Sequence, residues 1–374
     1  MKNILLLSLL VLVSGCGRTD FFSTSSYMRS ARSWDRAEVQ PAPPHNRPIF
    51  IARGPDAGRK AHWGEVHDAI EWADVIFLGE RHTDQTGHDT KKAILESWDG
   101  RGVLSMEMLE RDQQAYVDDW SQDLGVTDKK SADEILHEKT KLWKMHDVAY
   151  APLMKVAKKR HWPIIAANAS RPYVRLARTD GFAALRRLTD EQKRLFVIPR
   201  TMQTGRYRED FFEAMGHLPE HMDKNTFFRS QSIWDATMAD SIYKARKKFG
   251  HARIFHAVGA FHTDFGGGVI HMLRRLDPNL RIINISMVQK DSDVLEDEDY
   301  DRADFVIYTG EPPEEEEAVE EQKPTEKEAA ETPAEETEEH TPAGEKNEDE
   351  AEGDENPHTP PVDLPASPGG SSPG

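Results

Sequence analysis

Two Gly-x-x-His stretches lie far apart in this chain, and each directly follows a short apolar run. The first run leads into Glu80 and His82, and the second leads into His262, 180 residues later. Glycine lets a chain turn sharply as it leaves a sheet. Polar groups just beyond the carboxyl ends of strands line the ligand crevice of open α/β sheets. We therefore expect the two histidines to converge on one polar site.

Two further predicted strands also end in polar residues. Glu107 follows the second strand, with Glu110 and Arg111 just beyond it, and Asn168 follows the third, with Arg171 just beyond. One such ending carries little information, because any strand must end in something polar. Four together indicate a polar site at the carboxyl edge of the sheet.

The chemistry open to such a set is limited. Two neutral imidazoles with one or two carboxylates suit a divalent metal ion with open positions, and the predicted ligands are His82, Glu107 and His262. Without a metal, His82 beside Glu80 or Glu107 would be a general base. In a third, structural alternative, Glu80 caps the next helix and Glu107 pairs with Arg111.

The elements that position these residues alternate between strands and helices. Short continuous apolar runs are typical of strands buried on both faces, and their alternation with helices is typical of a parallel sheet. The predicted fold class is therefore α/β, with a mostly parallel central sheet flanked by helices. The predicted strands are Val75–Leu78, Val103–Met106, Ile164–Ala166, Ile254–Val258, Ile282–Ile285 and Phe305–Tyr308, and the helices around them are His88–Trp98, Arg111–Trp120 and Val148–Arg160.

A helical insertion is predicted at about residues 170–250, between the third and fourth strands. Its clearest helix is Asn225–Phe249, with Asn225 or Thr226 as the capping residue. Gln231 and Asp235 lie one turn apart on one stripe of this helix. We expect that stripe to face the cleft.

The amino terminus has the features of a lipoprotein signal. Residues 1–15 contain an apolar run too short to span a bilayer, and small residues precede Cys16. This pattern implies cleavage before Cys16 and acylation there. Gly17 in place of an aspartate favours the outer membrane of a Gram-negative cell envelope. Cys16 is also the only cysteine, which excludes an intrachain disulfide and a cysteine-based metal site.

The remaining domain boundaries follow from composition. Residues 16–48 are predicted to be a tether, residues 49–309 one α/β domain, and residues 310–374 a disordered acidic tail. From Glu311 onward the tail has 22 acidic and three basic residues, a net charge of −19, against −18 for the whole chain. The domain itself is therefore nearly neutral, and no basic, aromatic-rich stretch indicates nucleic-acid binding.

Five short motifs, in order along the chain, resemble those of the ChaN-like haem-binding lipoproteins of the Tiki superfamily. The motifs are residues 78–82, 105–114, 166–171, 231–239 and 258–262, and His88 follows the first of them. In two places the chain departs from the pattern: Gly87 stands where a second histidine often precedes His88, and Ser170 stands where the family has proline before Arg171. The ligand-binding set predicted from these motifs is Glu80, His82, His88, Glu107, Arg111, Asn168, Arg171, Gln231, Asp235 and His262.

The resemblance implies a lipid-anchored haem-binding protein of iron uptake or haem handling, in which two subunits pair around the haem as a homodimer. The related Tiki proteins resemble metal-dependent proteases, which implies that Glu80, His82, Glu107 and His262 would be the catalytic residues of a divalent-metal-dependent hydrolase, either a protease or an esterase. A third hypothesis is an interaction protein whose acidic tail does the binding. Haem iron needs an axial histidine, tyrosine or methionine. The predicted candidates on the helical regions are Tyr116, Tyr150, Tyr173, Tyr207, His146 and His217.

Overall fold

The computed structural model describes residues 46–311, apart from residues 128, 217, 218, 220 and 221. The predictions for the signal peptide, Cys16, most of the tether, His217 and nearly all of the acidic tail lie outside the described residues. Within the described part of the chain, no helix combines the length and the apolar character needed to cross a membrane.

One mixed sheet of seven strands forms the centre of the domain. Its strands lie in the order β1-β7-β6-β2-β5-β3-β4, and every neighbouring pair is parallel except β1 with β7. The six predicted strands are all present, and the α/β fold class is confirmed. The edge strand β1 was not predicted, because a run of three residues carries no usable periodicity. The strands are β1 (Ile49–Ile51), β2 (Val75–Glu80), β3 (Gly102–Glu110), β4 (Ile164–Asn168), β5 (Arg253–Gly259), β6 (Ile282–Val288) and β7 (Phe305–Tyr308).

Helices connect the parallel strands and cover both faces of the sheet. A turn of 3₁₀-helix, Arg111–Gln113, precedes α3, and a turn of π-helix, His146–Tyr150, precedes α5. The helices are α1 (Trp63–Trp72), α2 (Gln85–Ser97), α3 (Gln114–Ser121), α4 (Ala132–Lys139), α5 (Ala151–Lys159), α6 (Arg171–Thr179), α7 (Gly181–Arg186), α8 (Asp190–Lys193), α9 (Arg206–Ala214), α10 (Lys224–Phe249) and α11 (Gly268–Leu276).

Alternation along the strands divides the core into two layers. Leu78 of β2 packs in the layer that contains Tyr150 and helix α5, whereas Phe77 packs in the layer that contains α10 and α11. Successive strand residues point to opposite faces. Glu80 is two residues after Leu78 and therefore points to the same face as Leu78. Glu107 is four residues after Val103 and points to the same face as Val103, which lies in the α10 layer. The two carboxylates therefore leave the sheet on opposite faces.

Helix α10 is the longest element of the described residues, and it packs against β3, β4 and β5. It begins one residue earlier than predicted, because the side chain of Asp223 accepts a hydrogen bond from the amide of Asn225 at 2.9 Å and caps the helix. The prediction that Asn225 or Thr226 is the cap was therefore wrong. In the described residues between β4 and β5 the regular elements are helical.

Candidate functional site

Glu80, the last residue of β2, is buried and contacts four polar side chains. Its Oε1 accepts a hydrogen bond from the Tyr150 hydroxyl at 3.0 Å and lies 3.1 Å from His82 Nδ1. Its Oε2 lies 3.2 Å from His88 Nδ1 and contacts the ammonium group of Lys91. Asp84, not Glu80, caps the following helix by accepting from the amide of Gly87. The carboxylate of Glu80 therefore organises a buried cluster.

Lys91 was not among the predicted site residues. Its side chain is fully buried on α2, one turn beyond His88, and its ammonium group lies 5.5 Å from the centre of the Tyr150 ring. Burial lowers its pKa well below the ordinary lysine value. A sequence signal did exist: Lys91 shares the helix stripe of the buried Ile94 and Leu95, and a lysine on an apolar stripe is seldom buried without a partner.

His262 is the centre of the second half of the site, on the α10 side of the sheet. Its Nδ1 donates to Asp235 Oδ1 at 2.6 Å, and its Nε2 lies 3.4 Å from Glu107 Oε1. The Tyr207 hydroxyl donates to the other oxygen of Asp235 at 2.7 Å, and the Gln231 amide lies 3.2 Å from His262 Nδ1. The predicted α10 pair, Gln231 and Asp235, therefore does meet the second Gly-x-x-His histidine.

The charges in this half of the site stabilise one another. Burial alone would lower the pKa of His262, but the carboxylates of Glu107 and Asp235 raise it to about 10. Burial alone would raise the pKa of Glu107, but His262, together with the more distant His82 and the amide of Gly259, lowers it to about 2. Near neutral pH, His262 is therefore an imidazolium paired with the Glu107 carboxylate.

The two halves meet at Gly259, the last residue of β5. Its amide donates to Glu107 Oε2 at 2.6 Å, and a β-carbon at this position would lie 3.0 Å from Nε2 of His82. A β-carbon there would press on the His82 ring in its present position, and glycine avoids that contact. His82 therefore lies between Glu80, which holds its Nδ1, and the backbone beside Glu107. The prediction that strand ends bring Glu80, His82, Glu107 and His262 together agrees with this geometry.

Three other predicted residues have different partners. Arg111 donates to Asp240 at 2.6 Å and to the Ser241 hydroxyl, so it fixes the end of β3 to α10 and does not pair with Glu107. Asn168 accepts from the amide of its neighbour Ala169. Arg171 pairs with Glu110 Oε1 at 3.0 Å.

Trp143 lies at the rim of the site. Its ring stands edge-on to His82, 5.1 Å away, and Arg171 lies over it at 5.9 Å. The His82 and Arg171 side chains are 23% and 39% exposed, whereas that of Glu80 is buried completely. His82 and Arg171 are therefore the predicted residues that a ligand arriving from solvent would meet first.

Behind Glu107, His256 is a buried polar residue that was not among the predicted site residues. It lies in the middle of β5, its Nδ1 is 2.9 Å from the Ser105 hydroxyl, and burial lowers its pKa to about 3. The signal for it was a histidine inside the otherwise apolar run 254–258. A neutral histidine beneath the charged pair adds polar character to the α10 side of the sheet.

Groups of three side chains with ligand atoms mutually within 4.8 Å occur at two places in the described part of the chain. They are His137, His146 and Asp147, and His67, Asp68 and Glu71. The predicted trio of His82, Glu107 and His262 is not one of these groups, and its role as a metal site stays a prediction.

The fold and the site define an α/β protein with a histidine–carboxylate cluster at the carboxyl edge of a mostly parallel sheet. The chain belongs to the family described as haem-binding uptake, Tiki superfamily, ChaN, whose model matches residues 66–273, more than half of its length. This confirms the family to which the motifs pointed. No curated protein matches the chain.

Two solved structures are similar to this chain at low sequence identity. ChaN of Campylobacter jejuni, whose structure is described as showing cofacial haem binding, is 17% identical with a TM-score of 0.51, and the match covers 70% of this chain and 96% of that one. An erythromycin esterase in its open conformation is 10% identical with a TM-score of 0.36, covering 64% of this chain and 76% of that one. The first likeness supports the α/β fold, and the second is too distant to inform function.

Proposed function

We propose that this protein binds haem and handles it during iron uptake, held to the membrane through Cys16. The observation that carries the proposal is the match of residues 66–273 to a haem-binding family. ChaN of Campylobacter jejuni, described as binding haem cofacially, has the same fold. The proposal includes a homodimer in which two copies of this chain pair around the haem. Dimerisation on haem binding is the measurement that tests this part.

The hydrogen bonds of the domain restrict the choice of iron ligand. Tyr150 and Tyr207 donate to buried carboxylates, and burial raises the pKa of both phenols, which disfavours their ligating phenolate forms. Tyr173 packs against Phe196, with ring centres 5.0 Å apart. His82 directs its Nε2 towards the backbone of Gly259. The hydroxyls of Tyr150 and Tyr207 are therefore already engaged with carboxylates, and the ring of Tyr173 is packed against Phe196.

Tyr116 on α3 is the tyrosine that we propose as the ligand. It is 40% exposed, and Leu124 and Val126, 50% and 45% exposed, follow the end of the same helix. A phenol is an established axial ligand of haem iron, and the porphyrin needs apolar surface beside it. The residues present therefore fit the group. Bound haem would supply the iron that the protein carries, and this chain would position it.

Haem titration of the full chain in detergent tests this assignment. We expect a saturable Soret band for the wild type and for His82→Ala, whose ring is inside the cluster. We expect at least a tenfold loss of affinity for Tyr116→Phe, because phenylalanine keeps the packing and removes the ligand oxygen. Absorbance titration gives the affinity, and size-exclusion chromatography of the same samples reports dimerisation.

Tyr300→Phe is the matched control, since Tyr300 is also 40% exposed. Its titration should coincide with that of the wild type. If the wild type gives no saturable Soret band, the haem proposal fails. If Tyr116→Phe titrates like Tyr300→Phe, haem binding stands but the ligand assignment is wrong.

The membrane anchor is tested separately at Cys16. In a Gram-negative host, wild-type chain should label with an alkyne fatty acid and fractionate with the outer membrane. We expect Cys16→Ser to lose the label and the membrane association, because stable anchoring requires two or more acyl chains. Equal membrane recovery of the two proteins, with no label on either, would contradict the lipoprotein proposal.

A divalent-metal-dependent hydrolase is the second candidate, and one observation favours it. The Nδ1 atoms of His82 and His262 each face a carboxylate, Glu80 and Asp235 respectively. In metal sites a carboxylate commonly holds the far nitrogen of a ligating histidine in this manner. Glu107 lies next to His262 Nε2 and would be the third ligand. Stoichiometric metal with no haem uptake in the titrated samples would favour this candidate over the first.

A further inference from the structure

A second group of metal-binding side chains lies away from the strand ends, where α4 meets the π-helical turn. His137 comes from α4, and His146 and Asp147 are the first two residues of the turn. One ligand atom from each lies within 4.8 Å of the others, and His137 Nε2 is 2.8 Å from Asp147 Oδ1. The rings of His137 and His146 meet edge to face with their centres 5.6 Å apart.

We propose that His137, His146 and Asp147 form a binding site for a divalent transition-metal ion of the zinc class. Two imidazoles and one carboxylate are a usual protein ligand set for such an ion, and they leave a fourth position for water or an external ligand. Tetrahedral ligands about 2.0–2.1 Å from the metal are roughly 3.3 Å apart. The observed separations therefore need only small side-chain rotations to reach bonding distance.

The group combines a fixed ligand with two accessible ones. His146 is buried, and the side chains of His137 and Asp147 are 43% and 72% exposed. An ion can therefore enter from solvent, bind the buried nitrogen of His146 and be enclosed by the exposed side chains of His137 and Asp147.

The backbone that carries the site also reaches the strand-end cluster. The π-helical turn begins at His146 and ends at Tyr150, whose hydroxyl donates to Glu80. Single turns of π-helix are frequently found at functional sites. A metal ion on His146 and Asp147 would hold the turn that presents Tyr150 to Glu80. The site therefore has a physical connection to the cluster without sharing any residue with it.

Cobalt titration of the metal-free full chain tests the site, because Co²⁺ follows zinc ligation and its visible bands report low-coordinate nitrogen sites. We expect visible bands that saturate and are displaced by Zn²⁺. His137→Ala and Asp147→Asn should each weaken the binding by at least 10- to 100-fold, the loss that even an outer-shell partner causes. Both side chains are largely exposed, so both variants should fold, which far-UV circular dichroism would verify.

His161→Ala removes a histidine from the turn after α5 and is the matched control, expected to bind Co²⁺ like the wild type. Visible bands that are unchanged in His137→Ala and Asp147→Asn would overturn the proposal, because the ion would then be bound elsewhere, at the strand ends or on the acidic tail. Absence of any saturable band in the wild type would overturn it as well. Neither result bears on the Soret titration, so this inference and the haem proposal can fail independently.

Discussion

Glu80→Gln should destabilise the domain by about 3–5 kcal/mol, the cost of removing one partner from a buried ion pair. The substitution preserves volume but leaves the fully buried Lys91 without its carboxylate and weakens the contacts to His82, His88 and Tyr150. Urea unfolding, monitored by tryptophan fluorescence, measures the loss as a lower midpoint at an unchanged slope.

A second variant distinguishes the ion pair from general sensitivity of the helix. Lys91→Met in the Glu80→Gln background removes the unpaired amine, so the double variant should recover part of the lost stability. Glu96→Gln is the matched control, since Glu96 pairs with Lys92 on the same helix but both side chains are more than 40% exposed. An exposed pair contributes less than about 1 kcal/mol. Equal losses of unfolding free energy in Glu80→Gln and Glu96→Gln would show that the buried pair stabilises the domain no more than an exposed pair does.

Much of this site could be predicted because strand ends are local signals. Each apolar run ends where its polar residue begins, and parallel strands bring their carboxyl ends to one edge. Glu80, His82, Glu107 and His262 could be grouped on that basis alone. The stripe on α10 that carries Gln231 and Asp235 could be added from helical periodicity.

The partners of these residues could not be predicted in the same way. Tyr150 and Tyr207 were among the candidate ligands of haem iron, yet each donates to a buried carboxylate. Tyr150 belongs to a π-helical turn, for which sequence gives no periodic signal. Arg111 is four residues from Glu107, but β3 continues to Glu110 and its strand geometry separates the two side chains. Pairing at i, i+4 applies to helices, and here the strand decides.

The haem surface that we propose around Tyr116 is distinct from the strand-end cluster. The cluster is buried and internally hydrogen-bonded, and His82 is its most accessible member at 23% exposure. Haem, by contrast, needs a wide apolar surface and an accessible axial ligand. A protein with this architecture can carry haem on its helices while the cluster stabilises the sheet edge. The two proposals for function therefore concern different surfaces and need not exclude each other.

Raising the pH from 7 to 9.5 should destabilise the wild type more steeply than His262→Gln. The pKa of His262 is about 10 in the folded chain and near 6.5 without its partners, so the folded state holds a proton that the unfolded state releases. This stabilisation is complete below pH 6.5 and is lost as the pH rises to about 10. One proton corresponds to about 1.4 kcal/mol per pH unit, which is the expected difference in slope.

Urea unfolding at half-unit pH steps measures the two slopes, and His161→Gln controls for removing any histidine. Asp235→Asn should give an intermediate slope, because Glu107 still faces His262 Nε2 after one of the two carboxylates is lost. Coincident slopes for the wild type and His262→Gln would mean that His262 is neutral in the folded chain. A neutral His262 could act as a metal ligand or a general base. The imidazolium that we expect is instead a proton donor, and a metal ion could bind it only after displacing its proton.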